Sequence, residues 1–425
     1  MAIKSIRKLW PLFVAMGFLM LGNGLQGTLT GWRASFEGFS PQTTGLIMTS
    51  YYAGFLAGSL LTHYIVRSVG HIRAFAALAS LVSTAVLVQI LVISPPTWFL
   101  MRLITGFCFA GIYVIVESWL NGSSTNKTRG RILSFYMFIS YAGLASGQWL
   151  MNVADPSGVN LFILSSILLS VALIPVLITR IETPHTGTEH KLSIKQLIKF
   201  APAGALTILV IAIAHGAMFG MGTVFAIKAG MNVTQIALFM SSFIALGALS
   251  QWPLGWLSDL IDRRLIILFS CIIISIICYF LPQIDPKNMT FTILFAILGA
   301  LSPPIYSIAV AHTNDRLEPN QMISASSTLI LLFGIGSTLG PISSGYVMSS
   351  FGIQGFFLHI GIAHLFIVAS LTYFIFRRNA VAEEDLTHYQ MVPPRATSIA
   401  MEAVAQEAEL SLLTDTIKPN DKAEL

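Results

Sequence analysis

GWLSDLIDRR, residues 255–264, carries two aspartates and two arginines in ten positions. The apolar run ALFMSSFIALGALSQW (237–252) precedes it and LIILFSCIIISIICYFL (265–281) follows it. Across all 425 residues, 55% are hydrophobic and only 10% are charged. A soluble domain carries about 25% charged residues. A charge cluster between two apolar runs therefore reads as the turn between two membrane-crossing segments.

Apolar runs of about 20 residues, the helical length that crosses the hydrocarbon core, recur from Leu9 to Phe376. Helices and closed barrels are the spanning structures open to a chain in lipid, because the backbone groups must pair internally. Barrel strands alternate polar and apolar residues; these runs do not. The chain is read as all-α and integral to the membrane. Twelve spans are expected at 9–30, 43–65, 72–93, 98–119, 130–151, 159–179, 203–226, 233–257, 265–283, 289–312, 321–348 and 353–376. MAIKSIRKLW followed by PLFVAMGFLMLG resembles the start of a secretory signal, but no clean cleavage site follows. It is read as an uncleaved first helix. Cys108, Cys271 and Cys278 lie within apolar runs and read as packing residues.

The basic residues are unevenly placed. With the N-terminus inside, the inner segments hold Lys4, Arg7, Lys8, Arg67, Arg73, Lys127, Arg129, Arg131, Arg180, Lys191, Lys195, Lys199, Arg263, Arg264, Arg316, Arg377 and Arg378, and the outer loops hold Arg33, Lys228 and Lys287. The positive-inside rule then puts both termini in the cytoplasm. Net charge is +5; membrane orientation explains its distribution, and no nucleic-acid partner is expected. KLSIKQLIKF (191–200) has the pattern of a short basic helix lying on the inner leaflet. The tail 379–425 is acidic, contains Pro393-Pro394, and reads as disordered or loosely helical.

The chain repeats itself. MTSYYA (48–53) matches MSSFIA (240–245) at an offset of 192. GFCFAGIYVIVESWLN (106–121) aligns without gaps on GALSPPIYSIAVAHTN (299–314) at 193. Gly143 and Gly147 fall on Gly336 and Gly340 at that offset, as small-xxx-small pairs that let helices approach closely. The expected domains are a first six-helix half (1–180), a central loop (181–202), a second half (203–378) and the tail (379–425). Two parallel halves suit a transporter that rocks around a central site. No Walker A loop is present to drive a pump. GNGLQG (22–27) matches a dinucleotide fingerprint in letters only: it lies inside a span with no strand before it, and reads as helix-packing glycine. No catalytic constellation is found, and the chain is not read as an enzyme. No cofactor or metal is expected.

Gly255, Asp259, Arg263 and Arg264 resemble the loop signature of the major facilitator superfamily, G-x-x-x-D-x-x-G-R-[RK], with Asp262 replacing the second glycine. HYIVRSVGHIR (63–73) is a degenerate first copy that keeps Gly70 and puts Arg67 where the aspartate belongs. Arg102 and Gly106 resemble the family's R-x-x-x-G motif, and GSTLGPISSG (336–345) its Gly-Pro motif. RASFEGFS, VESWLN and RGRILSFYMFISYAGLASGQ look most like the YcaD-like bacterial branch. The resemblance covers about residues 1–378. It implies twelve helices in two pseudo-symmetric halves, alternating access, and a bacterial inner membrane.

A charge latch between the halves is then expected at the inner face. Asp259 would reach Arg129 and Arg131, and Arg67 and Arg73 would face Asp315 and Glu318, with the latch closed when the cavity opens outward. The alternative is that these charges mark the inner interface alone. Within the membrane, ionisable groups are functional candidates. Arg102, Phe109, Tyr113 and Glu117 share one stripe of the fourth span, with Arg102 and Glu117 about 22 Å apart along the helix. Arg102 would hold an anionic group or brace the bundle. Glu117 would be a coupling carboxylate or an interfacial partner of Arg131. Asn23, Gln26, Gly27 and Thr30 form a polar stripe on the first span, lining the cavity or joining helices. His215 is a proton site or a packing histidine. Tyr306 repeats Tyr113 and would face it across the cavity; Gln148 is a further candidate. Arg33 and Glu37 are a local pair or an outer gate.

The resulting expectation is a secondary transporter, monomeric in the bilayer, moving a small molecule with a proton as coupling ion. Export of an amphiphilic compound is preferred, because the cavity-facing stretches carry Met, Phe and Gly. The alternatives are an uptake permease for a small metabolite and a transporter-like sensor or scaffold.

Overall fold

The structure, a computed structural model, describes residues 9–125, 128–179, 192–377, 379, 381, 386–392, 397, 399–406 and 408. Lys4, Arg7, Lys8, Lys127, Arg180, Lys191, Arg378 and Pro393-Pro394 lie outside the described residues. Among the described residues there are twelve long helices: α1 Trp10–Phe36, α2 Pro41–Val69, α3 His71–Leu91, α4 Pro95–Gly122, α5 Arg129–Trp149, α6 Asn160–Leu177, α7 Pro202–Lys228, α8 Val233–Leu260, α9 Arg263–Phe280, α10 Met289–Asn314, α11 Pro319–Phe351 and α12 Gly355–Arg377.

Several helices run past the expected spans because capping residues, not hydropathy, set their starts. Ser40 and Ser94 accept from the backbone N–H of Thr43 and Thr97, and Pro41 and Pro95 take the first helical position, where a missing N–H costs nothing. Asn232 and Asn288 cap α8 and α10 in the same way. Gly70, at φ 85°, turns α2 into α3. Its counterpart Asp262 has φ −48° and accepts from the Arg264 N–H, so the second copy of the signature needs a capping side chain there rather than a glycine.

The helices alternate in direction, so the starts of odd-numbered and the ends of even-numbered helices share one end of the bundle, here called the basic face. Glycine contacts repeat between α1–α6 and α7–α12. Gly143 and Gly147 press on the α1 backbone near Gly17 and Gly24, and Gly336 and Gly340 press on the α7 backbone near Ile213 and Gly216. Gly54 and Gly106 join α2 to α4 as Gly247 and Gly299 join α8 to α10. Of the GNGLQG glycines, Gly22 and Gly24 pack against α6 and α5, while Gly27 faces open space.

Ten helices are long and apolar enough to cross a membrane by length and composition. The two described helices not among them, α2 and α5, both have faces that meet the other half: α2 packs on α11, and α5 on α8. Residues covered by protein need not be soluble in lipid, so Thr, Ser, Tyr and Gly are tolerated there. Opposite the basic face the halves are in contact. Gly45 lies against the Pro341 carbonyl, Gly345 against that of Pro41, and Thr234 donates to Asn152 at 2.7 Å.

The linker helix Ile194–Phe200 begins with a Ser193–Gln196 capping box. It turns Leu197 into the bundle, leaves Lys195 and Lys199 exposed, and ties Leu192 to Ser324 and Thr328 of α11.

A Cβ at Gly340 would meet the Ile213 carbonyl and the Ala217 amide, which cannot yield, whereas one at Gly27 meets nothing within 4 Å. Gly340→Leu is therefore expected to destabilise the protein by about 1–3 kcal/mol or more. Gly27→Ala is expected to be neutral or stabilising by up to about 1 kcal/mol. Thermal unfolding followed by a thiol-reactive dye on the buried cysteines checks both.

Candidate functional site

The site is built outward from α4. Arg102 is buried, and its guanidinium carbon sits 4.5 Å over the Tyr51 ring of α2. One turn on, Gly106 lets α4 meet the Tyr51 carbonyl. The two conserved letters of the R-x-x-x-G resemblance thus both grip Tyr51, an arrangement that braces α2 against α4. Asn23 of α1 donates to the Tyr113 hydroxyl at 3.5 Å, and that hydroxyl lies 3.2 Å from the Met20 sulfur. Phe55 packs on Tyr113 with ring centroids 5.8 Å apart and the planes tilted by 56°. Phe55 also lines, with Tyr51, Tyr306 and Phe333, an aromatic crevice between α2 and the α10–α11 pair. Tyr306 lines this crevice, and Tyr113 lies behind Phe55 rather than on its wall.

The polar stripe of α1 divides. Gln26 donates to Gln89 of α3 at 3.3 Å, and Thr30 to its own helix. Gln148 donates to the Gly24 carbonyl at 3.1 Å and accepts from Thr28. Gln26 and Gln148 join helices, and Thr30 does not; a Cβ at Gly27 would meet open space, and Asn23 reaches Tyr113 of α4. His215 lies within 3.2 Å of the Ser302 hydroxyl, which lies 3.4 Å from His364 Nε2. His364 Nδ1 faces the Ile360 carbonyl at 2.8 Å and must carry the proton there. With His364 neutral, Ser302 donates to His364 and accepts from His215, which fixes the tautomers of both rings. Met218 and Met221 are buried in the second half and do not face lipid.

Glu117 is 1% exposed. It accepts from the Tyr136 hydroxyl of α5 at 3.0 Å on one oxygen, and on the other from the Thr397 amide at 3.1 Å and the Thr397 hydroxyl. Arg131, the alternative partner, is exposed, and among the described residues no basic side chain pairs with Glu117. Thr397 precedes a helix over 399–406, so Glu117 sits where that helix presents unpaired N–H groups and positive dipole.

At the basic face, Arg263 is buried between two carboxylates. Its Nη2 is 3.0 Å from Asp259 and its Nε 3.3 Å from Asp315, the latter a charge contact rather than an aligned hydrogen bond. Arg264 holds Asp262 at 2.7 Å. The pairs expected across the halves are not formed: Arg67, Arg73, Arg131 and Glu318 are exposed and Arg129 is half-buried. The tail takes their place. Thr387 donates its amide and hydroxyl to Asp315 at 3.0 and 2.8 Å, and the Tyr389 amide donates to Asp259 at 3.0 Å. The Tyr389 hydroxyl meets Gln251, and its ring fills the space that the missing Cβ of Gly255 leaves. Val392 exchanges bonds with Ser307 through both its amide and its carbonyl, each at 3.1 Å. Where the composition of the tail suggests a disordered or loosely helical segment, its described residues are seated in the bundle. Arg33 and Glu37, at 2.6 Å, form a local pair near the opposite face, and Arg33 also meets the Ser157 carbonyl.

The sequence pointed to Glu117 but not to Tyr136, nor to Ser302 and His364 around His215. Nor did it point to Thr387, Tyr389, Val392 and Thr397. One signal was available: Ala400, Met401, Val404, Ala405 and Ala408 keep a helical period within the acidic tail.

Twelve helices in two pseudo-symmetric halves around a central crevice define a membrane transporter. Residues 12–286 and, overlapping them, 204–404 match the Major Facilitator Superfamily, and the chain belongs to that family. Among its relatives is the MFS-type transporter YcaD of Salmonella heidelberg (strain SL476), 30% identical over 368 residues, covering 85% of this chain and 88% of that one. YcaD of Escherichia fergusonii is 30% identical over 348 residues, covering 80% and 89%. Two solved structures share the fold. A mutant of the nucleoside transporter NupG has TM-score 0.75 and 13% identity, covering 87% of this chain and 99% of that one. An inward-facing, unoccupied bacterial homolog of the human lysosomal transporter Spinster has TM-score 0.66 and 14% identity, covering 97% and 98%. The chain is a multi-pass membrane protein of a family that transports small molecules.

Burial pushes the Asp315 carboxyl up to about 6, against the opposing pull of Arg263 and Thr387. A proton held more tightly in the packed state stabilises it fully below the ordinary value of 3.8. That contribution is lost as the pH rises through about 6. An infrared band of a protonated carboxyl is expected to fade between about pH 5 and 7 and to be missing in Asp315→Asn. A band fading near pH 4 would contradict this assignment.

Proposed function

We propose that the protein is a proton-coupled exporter of amphiphilic small molecules, with Glu117 as the coupling carboxylate and the basic face in the cytoplasm. The observation that carries this reading is Glu117 itself. It is a buried carboxyl near the basic-face end of α4, held by Tyr136 and tail donors, with no described basic side chain to keep it permanently charged. A carboxyl so placed can exchange a proton against a donor-bearing solute, since either one satisfies it. Such competition for one group is how two flows become linked.

The walls support the solute class. Tyr51, Phe55, Tyr306 and Phe333 offer faces for an apolar body, and Asn23 and, behind Phe55, Tyr113 offer polar groups to orient it. The orientation is supported by the asymmetry of the basic residues. With that orientation the halves meet at the outer face, so the cavity would be reached from the cytoplasm. The unformed cross-half pairs fit this state, because the latch of Asp259, Asp315, Arg67, Arg73, Arg129, Arg131 and Glu318 is expected to close when the cavity opens outward.

Untargeted metabolite profiling of cells and medium tests the proposal. Wild type, a deletion strain and Glu117→Gln would be compared. A compound retained inside in both mutants is the expected result. A compound depleted inside in both would replace export with uptake. Retention in the deletion strain but not in Glu117→Gln would remove Glu117 from the mechanism.

A further inference from the structure

We propose that the cavity is a binding site for the chain's own C-terminal segment, residues 386–408, which competes with the transported solute and holds the two halves apart at the basic face. The argument begins with the character of the bound segment. Thr397 and Val392 are fully buried, as are Met401 and Ala405 to within 1%. In the helix over 399–406, Ala403, Val404 and Ala405 differ in direction from one another by about 100° or more, yet all three are buried, as are Ala400 and Met401. Ile399, Glu402 and Gln406, on the remaining side, are half-buried, so no described residue of this helix is exposed.

The contacts reach both halves. Thr387 and Tyr389 hold Asp315 and Asp259, and Val392 holds Ser307, all in the second half. Thr397 then holds Glu117 in the first half. Met401 places its sulfur 3.9 Å from the Tyr306 hydroxyl, beside the aromatic crevice. A segment bonded to the inner ends of α4, α8 and α10 stands where those ends would approach each other in the opposite state. It also occupies Asp259 and Asp315, two carboxylates of the expected latch. The segment therefore acts twice, filling the solute's place and withholding the partners of the gate. The chemistry of its described residues defines the ligand class of this site: a peptide that offers Glu117 the hydroxyl and amide of Thr397, followed by a short Ala/Met/Val helix.

The inference goes beyond the transport reading and needs no identified solute. Its test uses purified protein in lipid nanodiscs, with Ser307→Cys as reporter and N-ethylmaleimide as probe. Ser307 is fully buried under Val392, and the native cysteines are buried. Ending the chain at Arg378 is expected to speed labelling at least about tenfold, as for a docking equilibrium that uncovers the site less than a tenth of the time. A synthetic peptide of residues 386–408 should restore protection, and the same peptide carrying Tyr389→Asp and Thr397→Asp should not. The two aspartates would face Gln251 and Glu117. The same two substitutions in the full-length chain should speed labelling, which guards against misfolding of the shortened one. Labelling at the full-length rate in both variants would overturn the proposal. A negative result for Glu117→Gln in cells would leave this measurement unaffected, so the two readings fail separately.

Discussion

A charge brought into a protein surrounded by lipid must be answered by another group of that protein. Arg263 shows how far this constraint reaches. Its side chain is 1% exposed and lies between Asp259 and Asp315. Removing one member of a buried ion pair typically costs about 3–5 kcal/mol, because the survivor is left uncompensated. The turn between α8 and α9, the end of α10 and the tail segment at 387–389 all meet at this arginine. Their positions are therefore set together, and the entrance to the cavity takes its shape from one guanidinium and the two carboxylates that answer it.

The two levels of the structure were legible to different degrees. Helix count and the pairing of halves follow from hydropathy and from the 192–193 offset, because both are local or periodic. The glycine contacts at 147 and 340 show that the repeat is one of geometry: in each half the same helix backbones touch at the same step. Arg102 was also readable, since its spacing to Gly106 puts both on the face that meets Tyr51. Glu117 stood out as a rare intramembrane carboxyl. Its partners did not, because Tyr136 and Thr397 lie 19 and 280 positions away, and no periodicity carries across such gaps.

The tail was the harder case for a physical reason. Composition averages over a segment, and nine acids against three bases describe a solvated chain. The buried stretch within it is short, and its helical face is built of alanines, whose small side chains contribute little to hydropathy. What makes them suited to a confined space makes them inconspicuous in a sequence. The latch illustrates the converse. Its charges are conspicuous, yet a single conformation shows Asp259 and Asp315 bonded to the tail and to Arg263 within one half, with Arg67, Arg73 and Arg131 exposed.

The modest hydropathy of α2 and α5 has a consequence for how the protein is made. A segment enters the bilayer from the translocon according to its own apolarity. These two helices are polar where they later meet α11 and α8, and at the moment of synthesis neither of those partners exists. α5 can enter against α1, whose backbone its Gly143 and Gly147 meet, whereas α2 packs mainly on α4, which is made after it. The faces turned to α11 and α8 stay uncovered until the second half arrives. Biogenesis of the first half is then the vulnerable stage, and the order of the genes' message along the chain becomes part of the structural design.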